Sequence, residues 1–327
     1  MVAERVRVAV AERPTATAAA REIVWLGEPA AEDRSLVGGK VAPLSRLAEQ
    51  YRVPPGFCLT TRAFEQASNS ASSRGGQDAA EDLILPDALR QQIVAAYQQL
   101  GALTGLDQPA VAVRSSAVDE DSADTSFAGQ HDTYLNVVGP EAICEAVLRC
   151  WASAQAPRVL EYRRQHGLPT DGARIAVLVQ QLVVADVSGI VFSANPLTGT
   201  RHEVVVNASW GLGESVVGGS VTPDTYVVSA SPDRSGAWNV LQRGLAEKCR
   251  MTVAVVGGTR EVDVPRLLRS RPALCDEQIA EMASLARDLE QAMGWPVDLE
   301  VAFRDDRLYL LQCRPITTLR TAARLEA

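Results

Sequence analysis

Val297-Asp298-Leu299-Glu300-Val301-Ala302-Phe303-Arg304-Asp305-Asp306-Arg307-Leu308-Tyr309-Leu310-Leu311-Gln312-Cys313-Arg314 reads as two strands, Val297–Phe303 and Arg307–Arg314, joined by a short acidic turn. Side chains alternate across a strand, so Asp298 and Glu300 share one face while Leu299 and Val301 take the other. By the same alternation Gln312 and Arg314 share a face with Leu310. Paired as a hairpin, the strands bring a carboxylate, an amide oxygen and a guanidinium to one spot. Hard oxygen ligands beside an arginine fork are the equipment for Mg²⁺ bound to a polyphosphate. An ordinary hairpin turning polar groups to water shows the same alternation, but the apolar run Leu308-Tyr309-Leu310-Leu311 argues for enclosure. Register decides the matter. A two-residue turn at Asp305-Asp306 sets Glu300 opposite Leu311, whereas a three-residue loop, Asp305-Asp306-Arg307, sets it opposite Gln312. The expectation is the bulged three-residue loop with Asp306 at positive φ; a tight turn would separate Glu300 from Gln312 unless a bulge compensated.

Only two of the 32 basic residues are lysines, Lys40 and Lys248. Lys40 follows a double glycine in Val37-Gly38-Gly39-Lys40. An ammonium is a compact point charge on a flexible stem, suited to reaching a phosphate, and glycines let backbone approach the same anion. A solvated loop lysine after a turn is the plainer reading of this segment alone. Lys248, in Ala246-Glu247-Lys248-Cys249, is the control, whose replacement is expected to cost ATP use less than that of Lys40. A second phosphate signal is Val113-Arg114-Ser115-Ser116 followed by Thr125-Ser126-Phe127-Ala128-Gly129-Gln130, in which an arginine, two hydroxyls and a loop of small residues could clamp an anion. Neither Gly38-Gly39-Lys40 nor Gly211-Leu212-Gly213 has the spacing of a Walker A loop or a dinucleotide fingerprint.

Composition excludes several classes. With 46% hydrophobic and 22% charged residues in 327, the chain is of ordinary globular type. A net charge of -8 argues against non-specific nucleic-acid binding. No apolar run approaches the ~20 residues of a membrane span, and the first residues carry no hydrophobic segment of the signal-peptide kind. The six cysteines are scattered without a Cys-x-x-Cys pair and are expected to be buried free thiols in a cytoplasmic protein. His131, His166 and His202 stand near no plausible nucleophile motif and give no transition-metal site.

Along the chain, residues 1–22 read as a loose extension and 320–327 as a tail. Organised sequence begins near Ile23-Val24-Trp25-Leu26. Helices are expected after Gly39 (Val41, Leu44, Leu47, Ala48), across Leu89–Leu100, as one or two segments over Ile143–Tyr162, and over Ile279–Met293. Strands are expected after Phe57, at Val111–Val113, Ile175–Val184, Gly189–Phe192, Val204–Val206 and Thr225–Val228. Residues 68–82 are low in complexity and read as a flexible surface loop. Strands and helices in irregular order indicate an α+β fold.

These residues together resemble a known family, the ATP-binding (ATP-grasp) domain of phosphoenolpyruvate synthase, pyruvate phosphate dikinase and rifampin phosphotransferase. The segments carrying the likeness run in family order: Val37-Gly38-Gly39-Lys40, Val53-Pro54-Pro55-Gly56-Phe57, Val113-Arg114-Ser115-Ser116-Ala117, Ser126-Phe127-Ala128-Gly129-Gln130, Gly189-Ile190-Val191-Phe192, Gly211-Leu212-Gly213-Glu214 and Leu311-Gln312-Cys313-Arg314-Pro315. The resemblance implies that residues 23–319 form two subdomains clamping ATP. It implies that Lys40 and Arg114 hold phosphates, that Gly129 lies in a lid loop, and that Gln180 and the backbone around Leu182 flank the adenine. Glu214 is a further polar contributor, Glu300 and Gln312 bind Mg²⁺, and Arg314 contacts phosphate. In the family ATP yields AMP and Pi while phosphate passes to a histidine on a separate swivelling domain. None of the three histidines here has that context, so the histidine is expected on a partner chain or domain. The alternatives are a free-standing kinase of a small molecule, in specialised metabolism or antibiotic modification, and a non-catalytic nucleotide-binding subunit.

Overall fold

Apolar side chains alternating along short strands build two antiparallel sheets, and one broken helix touches both. The computed structural model of the chain describes residues 21–72, 83–119, 133–153, 156–165, 174–231, 237–317 and 319. Its first half runs β1 (Ile23–Trp25), α1 (Arg34–Leu47), β2 (Gly56–Leu59), α2 (Thr61–Ser72), α3 (Asp87–Thr104), β3 (Val111–Ala117), β4 (Thr133–Val137), α4 (Pro140–Ser153), α5 (Pro157–Gln165) and β5 (Ile175–Gln181). The second half runs β6 (Val187–Phe192), β7 (Glu203–Trp210), α6 (Glu214–Val217), β8 (Asp224–Ala230), β9 (Trp238–Gly244), β10 (Arg250–Val255) and β11 (Gly258–Asp263). It ends with α7 (Arg266–Arg269), α8 (Asp276–Met293), β12 (Val297–Arg304) and β13 (Arg307–Pro315). This is the mixed α+β architecture expected from the sequence.

The first sheet has the order β1-β2-β5-β3-β4 and the second β13-β12-β6-β7-β8-β9; β10 and β11 form a separate hairpin. One core lies where α2, α3 and α4 cover the first sheet, with Leu89, Ile93, Ala96, Tyr97 and Leu100 of α3 buried there, as their helical spacing predicts. The other core joins α1 to the second sheet and to α8, whose Ile279, Met282, Ala283, Ala286 and Leu289 are buried. Helices α3 and α8 both stop at a left-handed glycine, Gly105 (φ 69°) and Gly294 (φ 75°), the residue type that tolerates this cap. Pro157 opens α5, where its missing N–H costs no helical bond, so the stretch from 143 to 162 is two helices.

Several expectations need correction. Residues 68–72, read as loop, belong to α2, while 73–82 lie outside the described residues. Arg21 and Glu22, assigned to the loose extension, are tied in: the Arg21 carbonyl accepts from Thr60 Oγ1 at 3.0 Å, and the Glu22 carbonyl from the Thr60 N–H at 2.8 Å. Residues 1–20 and 320–327 lie outside the described residues. The strand expected over Ile175–Val184 ends at Gln181. Strands β4, β9, β10 and β11 were not anticipated: β4, β9 and β11 leave most residues partly or fully exposed and carry no apolar run, while the run Val253-Ala254-Val255 of β10 was a readable signal that was passed over. No described helix is long and apolar enough to cross a membrane.

Candidate active site

Strand β3 presents two different faces. Val111 and Val113 pack into the core under α3 and α4, so alternation turns Ala112, Arg114 and Ser116 to the opposite face. Pairing with β5 sets Ala112 against Gln180 and Arg114 against Leu178. The two hydroxyls expected to clamp an anion therefore part company. Ser115 is buried on the face away from Arg114, and Ser116 turns toward α1.

Helix α1 is broken at Gly38, where φ is 79° and ψ 179°. A Cβ at Gly38 would lie 2.3 Å from the Ser116 carbonyl oxygen and 2.4 Å from its Oγ, so only glycine allows this approach to β3. The segment resuming after the break directs the Lys40 and Val41 N–H groups to Ser116 Oγ at 3.2 and 3.4 Å. Lys40 Nζ donates to the Ser115 carbonyl at 3.1 Å. Gly38 thus serves close packing of helix on strand.

The last hairpin reaches the expected pairing by another route. Its turn is the tight two-residue one, with Asp305 at φ 50° and Asp306 at φ 55° and Arg304 opposite Arg307. That register alone would put Leu311 opposite Glu300. A bulge between Glu300 and Val301 on β12 and their partners absorbs Leu311 as the extra residue: Val301 pairs with Leu310, and Glu300 with Gln312. The loop length was therefore predicted wrongly, while the positive φ of Asp306 and the Glu300–Gln312 pairing stand. The bulge also separates Leu310 from Gln312. Leu308, Leu310 and Cys313 join the core opposite Phe303, Val301 and Leu299, leaving Gln312 and Arg314 on the other face with Glu300 and Asp298.

The two faces enclose a cleft of about 280 Å³. Its walls include Lys40, Arg114, Gln180, Leu182, Glu214, Glu300, Gln312 and Arg314, eight of the nine residues named from sequence. Gly129 lies outside the described residues. A larger crevice of about 850 Å³, walled by Asp33, Thr61, Arg62, Glu65 and Arg174 among others, contains none of them.

Arg114 spans the cleft. Its Nη2 donates to Glu300 Oε2 at 2.8 Å and Gln312 Oε1 at 2.6 Å, and its Nη1 to the Leu311 carbonyl at 3.1 Å. Arg114 Nε is buried without an acceptor among the described residues. Burial would push the Glu300 carboxyl up, but Arg114, Arg314 and Lys40 around it hold it below its ordinary value. Arg314 is oriented by Asp298, Nε to Oδ2 at 2.7 Å. Three cations against two carboxylates along the walls, Glu214 and Glu300, make the cleft suited to an anion. Glu300 Oε2 and Gln312 Oε1 already converge on one cationic nitrogen, and both are hard oxygen donors, so the pair fits Mg²⁺. Two protein donors leave the rest of an octahedral shell to ligand oxygens and water, the usual arrangement for this ion.

The remaining residues are placed less simply. Gln180 is buried and its Nε2 donates to the Pro54 carbonyl at 3.0 Å, while the Leu182 N–H is taken by the Ala110 carbonyl at 2.8 Å. Glu214 is exposed at the rim, and its Oε2 accepts from Thr259 Oγ1 at 3.0 Å. Lys248 is fully buried away from the cleft, and its Nζ lies 2.6 Å from Asp224 Oδ1. Sequence reasoning missed Asn136, which at φ 58° directs Nδ2 to the Val255 and Gly258 carbonyls at 2.6 and 2.7 Å, fastening β4 to the β10–β11 hairpin. The signal for that hairpin was the glycine at Gly257, which at φ 84° makes the two-residue turn Val256-Gly257 between paired Val255 and Gly258. The apolar walls Leu135, Val183, Leu212 and Val217 come from separate elements and left no joint pattern to read.

The family described as "Pyruvate phosphate dikinase, AMP/ATP-binding domain" matches residues 34–327. The chain is 35% identical over 371 residues to the phosphoenolpyruvate synthase of Pyrococcus furiosus, covering 94% of this chain and 45% of that one. It is 40% identical over 311 residues to the rifampicin phosphotransferase of Streptomyces sviceus, covering 87% and 34%. It is 37% identical over 295 residues to the prodigiosin synthesizing transferase PigC of Serratia marcescens, covering 86% and 32%. The chain thus spans less than half the length of each of these relatives.

Proposed function

That this chain belongs to the family of pyruvate phosphate dikinase AMP/ATP-binding domains is the premise from which we propose that it is the ATP-binding module of an ATP-dependent phosphotransferase. Residues 23–319 form the nucleotide-binding unit, an ATP-grasp domain whose two sheets are its two lobes. The observation that carries the reading is the meeting of Glu300 and Gln312 on one nitrogen of Arg114 across the cleft.

In this reading Lys40, Arg114 and Arg314 take the phosphate oxygens, Glu300 and Gln312 hold Mg²⁺, and Gln180 and Leu182 flank the adenine. Glu214 adds a polar contact at the rim. Bound Mg²⁺ neutralises charge on the polyphosphate and fixes its geometry for in-line displacement. Glu300 and Gln312 would hold the metal, and Arg114, released from them, would turn onto phosphate, which would also give its buried Nε an acceptor. Lys40 reaches phosphate as a point charge from its seat on the Ser115 carbonyl. ATP and water yield AMP and Pi, with the remaining phosphoryl group passing to a histidine nitrogen, which gives up its proton as the N–P bond forms. His131, His166 and His202 all lack the sequence context of the family's phosphorylated histidine, so that histidine is assigned to a partner chain or domain.

A second reading is direct phosphorylation of a small molecule, the kind of acceptor that the name of one relative, a rifampicin phosphotransferase, indicates. Product analysis separates the two. Incubation with ATP and Mg²⁺, with and without a histidine-domain partner, should give AMP and Pi only when the partner is present. ADP formed by the chain alone with a small-molecule acceptor would move the assignment to the direct kinase. Nucleotide binding without turnover under every condition would leave a nucleotide-binding subunit.

A further inference from the structure

We propose that Ser116 is the positioning residue for Lys40: its hydroxyl caps, from another strand, the helical segment that carries the lysine. The first N–H groups of a helix have no partner within it and are ordinarily met by a side chain just before the helix. Here that position is held by Gly38 and Gly39, which have no side chain to offer. The acceptor comes instead from β3. Ser116 Oγ receives the N–H groups of Lys40 and Val41 at 3.2 and 3.4 Å, across 76 and 75 positions of sequence. Ser116 is fully buried, and the 2.4 Å between its Oγ and a Cβ built at Gly38 shows that no larger residue could admit it.

The neighbouring residue of the same strand completes the seat, since the Ser115 carbonyl takes Lys40 Nζ at 3.1 Å. Lys40 is thus pinned to β3 at its backbone and at its tip, and Arg114 leaves the same strand two residues before Ser116. The two cations are set by one rigid strand, and their spacing does not depend on the loops around the cleft. An ammonium on a four-carbon stem is only as well placed as its Cα, and small displacements of a charged contact cost affinity steeply.

The inference rests on the reading of Lys40 as a phosphate ligand, and the test separates the two. The imido analogue of ATP, with Mg²⁺, is titrated calorimetrically into wild type, Ser116→Ala, Lys40→Ala and the double variant, with thermal melts of each. Ser116→Ala frees the segment that carries Lys40 and should bind the analogue roughly fivefold more weakly, about 1 kcal/mol of affinity. In the Lys40→Ala background the same change should leave affinity unaltered while lowering the melting temperature as much as before. Additive losses of affinity in the double variant, or unchanged binding by Ser116→Ala, would overturn the inference and leave the ATP site standing. Equal binding by wild type and Lys40→Ala would instead remove the reading beneath it. Should Ser116→Ala fail to fold, Ser116→Cys keeps the shape with a poor acceptor, and its affinity must fall in the same direction and show the same dependence on Lys40.

Discussion

At position 40 charge alone does not define the side chain. The ammonium sits 3.1 Å from a carbonyl in a seat that β3 supplies, and a planar five-donor fork cannot occupy it without leaving donors unpaired. Lys40→Arg should therefore lower kcat/KM for ATP by on the order of tenfold or more although charge is kept. Steady-state kinetics with near-normal values would remove Lys40 from the site. Glu300 is the other residue that decides the chemistry, since Gln312 is neutral and Glu300 would bring the protein's negative charge to the metal. Glu300→Ala should weaken the Mg²⁺-dependent part of nucleotide binding by on the order of tenfold, because one of two protein oxygens and the only charge go with it. Calorimetry giving the same Mg²⁺–nucleotide affinity in variant and wild type would exclude it as a ligand. Both residues were legible because their neighbours narrow what they can do: a double glycine before Lys40, and strict alternation around Glu300. Ser116 was legible only as part of a motif. Its partners stand 75 and 76 positions away, and no local pattern announces such a contact.

Among the elements, the hairpin β12–β13 shows how register can be right for the wrong reason. Counting residues between Glu300 and Gln312 demands an odd loop or a bulge, and loop chemistry pointed to the odd loop. The chain instead uses the tight turn, in which both Asp305 and Asp306 take left-handed backbone, and spends the surplus residue at Leu311. The bulge has a second use, for the Leu311 carbonyl is one of the acceptors of Arg114. Bulges are set by what the sheet packs against, here Val301 and Leu310 in the core, so a strand's own sequence does not reveal them. The strained turn supports a test. Asp306→Gly relieves a positive φ and gives up one 3.3 Å bond from Gln278, and should stabilise the protein by about 0.5 kcal/mol. A lowered midpoint of urea unfolding would mean that the aspartate contributes more through Gln278 than its backbone costs. Helices α3 and α8 were predicted well because each combines a continuous apolar stripe with a terminal glycine. Strands β9 and β11 were missed for the opposite reason, having half or more of their residues exposed.

Across the whole molecule, polar contacts between distant segments hold the parts in register. Arg114 ties the first sheet to the second, Asn136 fastens β4 to the β10–β11 hairpin, and Asp224 gathers the far end of the second sheet. Asp224 Oδ1 accepts from Lys248 Nζ at 2.6 Å and from the Ala246 N–H at 2.9 Å, and its Oδ2 from the Ala273 N–H at 2.8 Å. Lys248 and Asp224 are both fully buried, which no feature of Ala246-Glu247-Lys248-Cys249 could have told. The avoidance of arginine that drew notice to Lys40 applies to Lys248 as well, since only a compact ammonium fits a closed pocket between Asp224 and the Ala246 carbonyl. Removing one partner of a buried pair leaves the other charge uncompensated, at a cost of about 3–5 kcal/mol. Against a typical total of about 5–15 kcal/mol, Lys248→Ala should reduce stability severely, with nucleotide affinity per folded molecule little changed because the cleft does not include Lys248. Lys248→Met combined with Asp224→Asn removes both charges and should recover a large part of the loss. Urea unfolding of the three proteins beside wild type decides it. If Lys248→Ala unfolds within about 0.5 kcal/mol of wild type, the range of an ordinary surface substitution, the pair does not hold this end of the sheet together.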